Sequence, residues 1–242
     1  GALGLATWAI LVFLSGFAIV SLEILWVRVL GIVGEYHAYS FASILGLFLL
    51  ADGLGMATAA VWLKRIVDPR PAFFLLQAIA ALYAIVSLAG LLVMYEWPAV
   101  APRISVESSR LTGEGFWIVL LVTALAVIPP SFLLGMSFPL VQQAVQRDMA
   151  SVGLRVGIVQ LANIVGNAAG SLFTGLLALH VLGSSGTARL VAALALFLLC
   201  GWLALGWRRG IRPRHAAVAV AVATALAIAI LLFPGNQAFW AQ

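Results

Sequence analysis

The chain has 242 residues, of which 64% are hydrophobic and only 9% charged, with a mean hydropathy of +1.15 and a formal net charge of +5. Soluble domains carry about 25% charged residues, so this composition excludes an ordinary soluble enzyme. The basic excess reads as loop topology rather than as nucleic-acid binding, because basic residues collect in the cytoplasmic loops of membrane proteins. The single cysteine, Cys200, excludes an internal disulfide and a cysteine metal cluster.

Apolar runs of about 20 residues, enough to cross a bilayer, recur along the whole length. They are continuous rather than alternating, so the fold class is all-α, a polytopic transmembrane bundle and not a barrel. Seven spans are predicted: Thr7–Val33, Tyr39–Leu63, Ala72–Val93, Phe116–Val141, Val156–Leu182, Leu190–Trp207 and Ala216–Phe233. Residues 1–234 thus read as one membrane domain, and 235–242 as the start of a linker. The N-terminus carries no signal-peptide pattern.

In the first span, Glu23, Trp26 and Arg28 fall toward the end that leads into the turn holding Tyr36 and His37. Glu23 and Arg28 are five residues apart and do not face each other on a regular helix, so their partners are sought on other helices. Arg28 has the ordinary alternative of snorkelling to the interface. In the second span, Asp52 sits close to the midplane. Its choices are a buried structural hydrogen bond or a role in proton-coupled transport. A charge at that depth costs roughly 2.5–3.5 kcal/mol, so Glu23, Arg28 and Asp52 are expected to face protein or water rather than lipid.

The fourth span is interrupted by Pro129-Pro130 and by Pro139, which predicts a bent, broken or even re-entrant segment. In the fifth, Gln160, Asn163, Asn167 and Ser171 share one helical face beside Gly166 and Gly170. That stripe serves either as glue between helices or as the lining of a polar path. An internal repeat is also visible. Leu50-Ala51-Asp52 followed by Gly55 and Ala59 aligns with Leu161-Ala162-Asn163 followed by Gly166 and Gly170. Two three-helix units so related would lie in opposite orientation, the inverted-repeat plan of many transporters, with the seventh helix added.

Loop charge orients the bundle. Lys64, Arg65, Arg70, Arg147, Arg155, Arg208, Arg209, Arg212 and Arg214 fall on one side, against Arg103, Arg110 and Arg189 on the other. The first side and the N-terminus are therefore assigned to the cytoplasm. Trp97 and Trp117 fit an interfacial aromatic belt, with Trp8, Trp207 and Trp240 as further candidates at helix ends. His37 and His180 lack a carboxylate set, so no metal site is expected. No nucleotide loop, nucleophile elbow, HExxH or CxxC occurs, so neither a catalytic residue nor a cofactor is assigned.

Several segments together resemble the membrane-bound spermidine-synthase-like proteins, the fused transporter-like/spermidine synthases. They are Ser15-Gly16 with Leu22-Glu23-x-x-Trp26-x-Arg28-x-Leu30-Gly31, then Phe48-Leu49-x-Ala51-x-Gly53-Leu54-Gly55, then Leu134-Gly135-Met136-Ser137-Phe138-Pro139. Gly157 with Ala162-Asn163, Gly166 and Gly170, and the closing Leu182-Gly183, complete the pattern over about residues 10 to 207. The resemblance implies a membrane region preceding an aminopropyltransferase-like domain, which would lie beyond residue 242. It implies a bacterial inner-membrane location, and a membrane anchor or docking platform as the role of this part. The alternatives are a transporter of small amines or polyamines, and an accessory subunit packed against other membrane proteins. The candidate polar site within the membrane is Glu23, Arg28, Asp52, Gln160, Asn163 and Asn167.

Overall fold

A computed structural model describes residues 4–33, 38–63, 66, 68–96, 114–146, 151–207 and 211–235. Among these residues, seven helices long and apolar enough to span a membrane follow in order: α1 (Leu5–Val33), α2 (Ala38–Trp62), α3 (Pro69–Glu96), α4 (Glu114–Val145), α5 (Val152–Val181), α6 (Gly183–Trp207) and α7 (Pro213–Leu232). Among the described residues there is no strand. The expected turn residues Tyr36 and His37 lie outside the described residues. So do Lys64, Arg65, Arg103, Arg110, Arg147, Arg208 and Arg209, the belt candidates Trp97 and Trp240, and the linker from 236 onward.

The helices alternate in direction. Gln143 near the end of α4 donates to the Leu63 carbonyl at the end of α2 (3.3 Å), so α2 and α4 run parallel. Tyr83 of α3 meets Leu125, and Gln77 meets Ser137, so α3 and α4 run antiparallel. α3 and α7 begin on prolines, a few residues before the predicted Ala72 and Ala216. Proline is tolerated in a first turn, where its missing N–H has no helical partner to lose.

Two expectations about continuity are corrected. α4 runs unbroken through Pro129, Pro130 and Pro139, so it neither breaks nor re-enters. The physical reason is on the neighbouring helix. Pro129 has no N–H for the Leu125 carbonyl, and the Tyr83 hydroxyl donates to that carbonyl instead at 2.8 Å. In addition, Ser131 Oγ donates to the Val127 carbonyl at 2.7 Å. The second correction concerns the polar stretch 183–189, expected as a loop. It is the first turns of α6, and the chain reverses at Gly183 alone, whose φ of 68° suits a residue without Cβ. Just before it, Phe173–Ala178 winds as a π-helical segment within α5.

The packing repeats itself across the chain. α5 lies against α1, and α2 lies against α4. In the first pair, Gly166 sits on the Phe13 carbonyl and Gly16 on the Asn163 carbonyl; in the second, Gly55 sits on the Phe132 carbonyl and Gly135 on the Asp52 carbonyl. Each of these glycines is so close to the facing backbone that a Cβ has no room. The same reciprocal contact therefore occurs twice, once with α1 and α5 and once with α4 and α2. This is the exchange expected of two inverted three-helix units, and it matches the alignment of Asp52/Gly55 with Asn163/Gly166. α3 packs against both α4 and α6, and α7 stands outside the repeat, against α3 and α6.

Close backbone approach matters because lipid tails are as apolar as leucine. Helices in a membrane associate through van der Waals contact and hydrogen bonds rather than by leaving water. The outward faces bear this out: Leu176 is 75% exposed, Phe197 71% and Leu231 80%. On a water-soluble surface they would form an aggregating patch. In a bilayer they are solvated. Trp117 and Trp207 are likewise exposed near helix ends, whereas Trp8 is buried, edge-on to Phe73 at 5.6 Å, and so is a packing residue and not part of an aromatic belt.

Candidate functional site

The polar side chains that the sequence scatters over four helices converge on one cavity of about 360 Å³. α1 contributes Ser15 and Glu23, α2 Asp52, α4 Ser137, and α5 Asn163 and Asn167, with Val12, Phe48, Phe73 and Leu134 among the apolar walls. Asp52 lies ten residues from the end of α2 at Trp62, roughly 15 Å at 1.5 Å per residue, which places the cavity at mid-membrane depth. Its two ionisable lining groups are both carboxylates. Among the described residues no lysine, arginine or histidine lines it, and neither Glu23 nor Asp52 forms a salt bridge.

Two of the lining hydroxyls, Ser15 and Ser137, are held from behind by an amide that is not among the six expected site residues. Gln77 of α3 is buried, and its Nε2 donates to Ser15 Oγ at 2.5 Å and to Ser137 Oγ at 3.0 Å. It thus ties α1 to α4, the corresponding helices of the two units. Ser137 Oγ in turn donates to the Leu134 carbonyl at 2.6 Å. The available signal was that Gln77 interrupts the apolar run of α3, where an amide at depth needs partners.

The Asn167 amide faces the carbonyls of Gly16 and Asn163, and the amide orientation that satisfies both has its nitrogen donating to them, at 3.1 and 3.2 Å. The α1–α5 seam continues with Thr174 Oγ1 donating to Ser21 Oγ at 2.8 Å, and Ser21 Oγ donating to the Phe17 carbonyl at 2.7 Å. Thr174 lies in the π-helical segment, where a wider turn brings it inward. The inner face of α5 therefore runs Asn163, Asn167, Gly170, Thr174 and does not include Ser171.

Of the six polar residues expected to form a site, four meet: Glu23, Asp52, Asn163 and Asn167. Gln160 lies on the exposed side of α5, although three residues from Asn163, and Ser171 is exposed as well. Arg28 is exposed near the end of α1 and does not line the cavity. His180 is exposed at the far end of α5.

No protein-family model, curated protein or solved structure matches the chain. The chain is an integral membrane protein, with seven apolar helices among the described residues and a cavity between them that two carboxyl and two amide side chains line.

Proposed function

We propose that this chain is a membrane transport domain for a small organic cation, with an amine or polyamine as the substrate class. The observation that carries the reading is the cavity whose ionisable lining groups are Glu23 and Asp52, with no basic side chain among the described residues beside them. A volume of about 360 Å³ falls within the roughly 300–1,000 Å³ of small-molecule sites. An ammonium group placed between two carboxylates offsets the cost of holding them in a low-dielectric interior. The amide and hydroxyl groups of Asn163, Ser15 and Ser137 supply acceptors for its remaining N–H bonds.

The doubled glycine contact supports transport over a purely passive anchor. Inverted-repeat transporters carry their sites at the repeat interface near the midplane and open alternately by rocking one unit against the other. Here the cavity lies between α1/α5 and α2/α4, and Gln77 links the units through Ser15 and Ser137, both of which line it. The resemblance to spermidine-synthase-like membrane proteins makes diamines and polyamines the first substrates to test. In that setting this domain would deliver an amine to, or remove it from, an enzymatic partner domain.

The test is uptake of labelled putrescine and spermidine into proteoliposomes, alongside equilibrium binding to the purified chain. Asp52→Asn and Glu23→Gln are expected to lower uptake at least tenfold while size-exclusion profiles stay unchanged. Binding without uptake would favour the anchor or docking role. Neither binding nor uptake of any small amine cation would overturn the proposal.

A further inference from the structure

A second, larger cavity of about 800 Å³ opens at the basic end of the bundle, between α1, α3, α6 and α7. It shares no lining residue with the acidic cavity. Its depth is apolar, walled by Leu11, Phe74, Leu75, Leu198 and Trp202, with Phe74 and Trp202 stacked at 5.7 Å and 16°. Its outer wall is formed by Phe197 and Leu205, 71% and 56% exposed, so it borders the acyl-chain region of the bilayer. Its rim is polar, made by Asp68, Arg70, Arg212 and His215.

Charge at the rim is not balanced. Asp68 is taken by Arg70, whose Nη2 lies 2.7 Å from Asp68 Oδ2 and whose Nε donates to Oδ1 at 2.8 Å. Arg212 and His215 lie on the same rim, at the start of α7, and among the described residues no carboxylate besides Asp68 lines it. Both sit where helix N–H groups add positive potential. A greasy slot open sideways to lipid, closed at its aqueous end by surplus positive charge, matches an amphiphile with an apolar tail and an anionic head.

We propose that this groove is a binding site for an anionic phospholipid. One acyl chain lies along Leu11, Phe74 and Trp202, and the phosphate is held by Arg212 and His215. Lipid, rather than a free anion, is the occupant because the apolar part of the groove is continuous with the exposed Phe197–Leu205 face. An inorganic anion would use only the rim. Basic pockets between transmembrane helices are a recurrent way of holding anionic head groups. The site joins α7, which stands outside the repeat, to α1 and α3, so an occupant would brace the added helix against the two units.

The experiment uses the purified, delipidated chain in neutral detergent, read by native mass spectrometry and by thermal unfolding. Dioleoyl phosphatidylglycerol, dioleoyl phosphatidylcholine and inorganic phosphate are titrated separately. Expected are a bound phosphatidylglycerol adduct and a saturable rise in Tm, with phosphatidylcholine at least tenfold weaker and inorganic phosphate without effect. Two variants test the two ends of the site. Arg212→Gln with His215→Gln removes the head-group contacts. Gly201→Leu fills the groove from a lining position where a Cβ meets nothing within 4 Å, and an unchanged circular dichroism spectrum and size-exclusion profile check that the fold is kept. Each is expected to weaken phosphatidylglycerol at least tenfold. Equal response to both lipids, a phosphate response as large as that to phosphatidylglycerol, or wild-type affinity in both variants would overturn the proposal.

Discussion

Adding a single methyl group at Gly55 should weaken the bundle more than the same change almost anywhere else on its helices. The Cβ of Gly55→Ala would fall well inside van der Waals contact distance of the Phe132 carbonyl oxygen and 3.1 Å from Met136 N. Both obstacles are backbone, so no rotamer change relieves the clash and α2 must move away from α4 along the whole crossing. Overpacking of this kind costs about 1–3 kcal/mol, and the upper half of that range is expected here. Gly153→Ala is the matched control. It lies in the first turn of α5 with nothing within 4 Å of a Cβ, and there alanine recovers part of the roughly 1 kcal/mol of helix propensity that an interior glycine forfeits. The same chemical change is thus predicted to have opposite signs at two helical sites. Gly166→Ala, facing the Phe13 carbonyl in the corresponding contact, should resemble Gly55→Ala. The assay is reversible unfolding in mixed micelles followed by circular dichroism. Equal stability of Gly55→Ala and Gly153→Ala would refute the close-packed crossing, and a marked difference between Gly55→Ala and Gly166→Ala would refute the repeat.

Tyr83→Phe should cost about 0.5–1.5 kcal/mol, because it leaves the Leu125 carbonyl beside Pro129 without a donor. Faster amide exchange confined to the Pro129–Pro130 region of α4 is the accompanying sign, and unchanged exchange there would refute the assignment. At the basic end, burial pushes the Asp68 carboxyl up, but the Arg70 hydrogen bonds and the charges of Arg70 and His215 outweigh it and hold it below the ordinary value. The group therefore adds stability above the usual carboxylate range and loses it as pH falls through the depressed folded value. The gap between wild type and Asp68→Asn should close on acidification and shrink in high salt at neutral pH. It should stay well under about 1 kcal/mol, because the pair is partly exposed.

Much of the architecture is written in composition and run length. Seven apolar runs bounded by basic loops can form only helices in a bilayer, since each must satisfy its own backbone, and the observed spans follow. The alignment of Asp52/Gly55 with Asn163/Gly166 was also visible in sequence, as two copies of one small-residue pattern. Its meaning was not visible, because a helix that is apolar all round does not say which face meets which neighbour. The continuity of α4 was illegible for a similar reason: three prolines argue locally for a break, and the compensating hydroxyl of Tyr83 comes from another helix, 42 residues away.

The candidate site divides along the same line. Charges inside apolar spans are costly enough that Glu23 and Asp52 had to turn inward, and sequence alone fixes that much. Which of the other polar residues join them depends on the rotation and crossing of each helix. Gln160 and Asn163 lie three residues apart, yet only Asn163 lines the cavity, and Gln77, the tie between the two units, gains its role from two serines on different helices. Sequence sets the cost of each side chain in lipid, a property of that residue alone. Tertiary structure sets its partners, because a close contact between helices is shared by two backbones and is encoded in neither by itself.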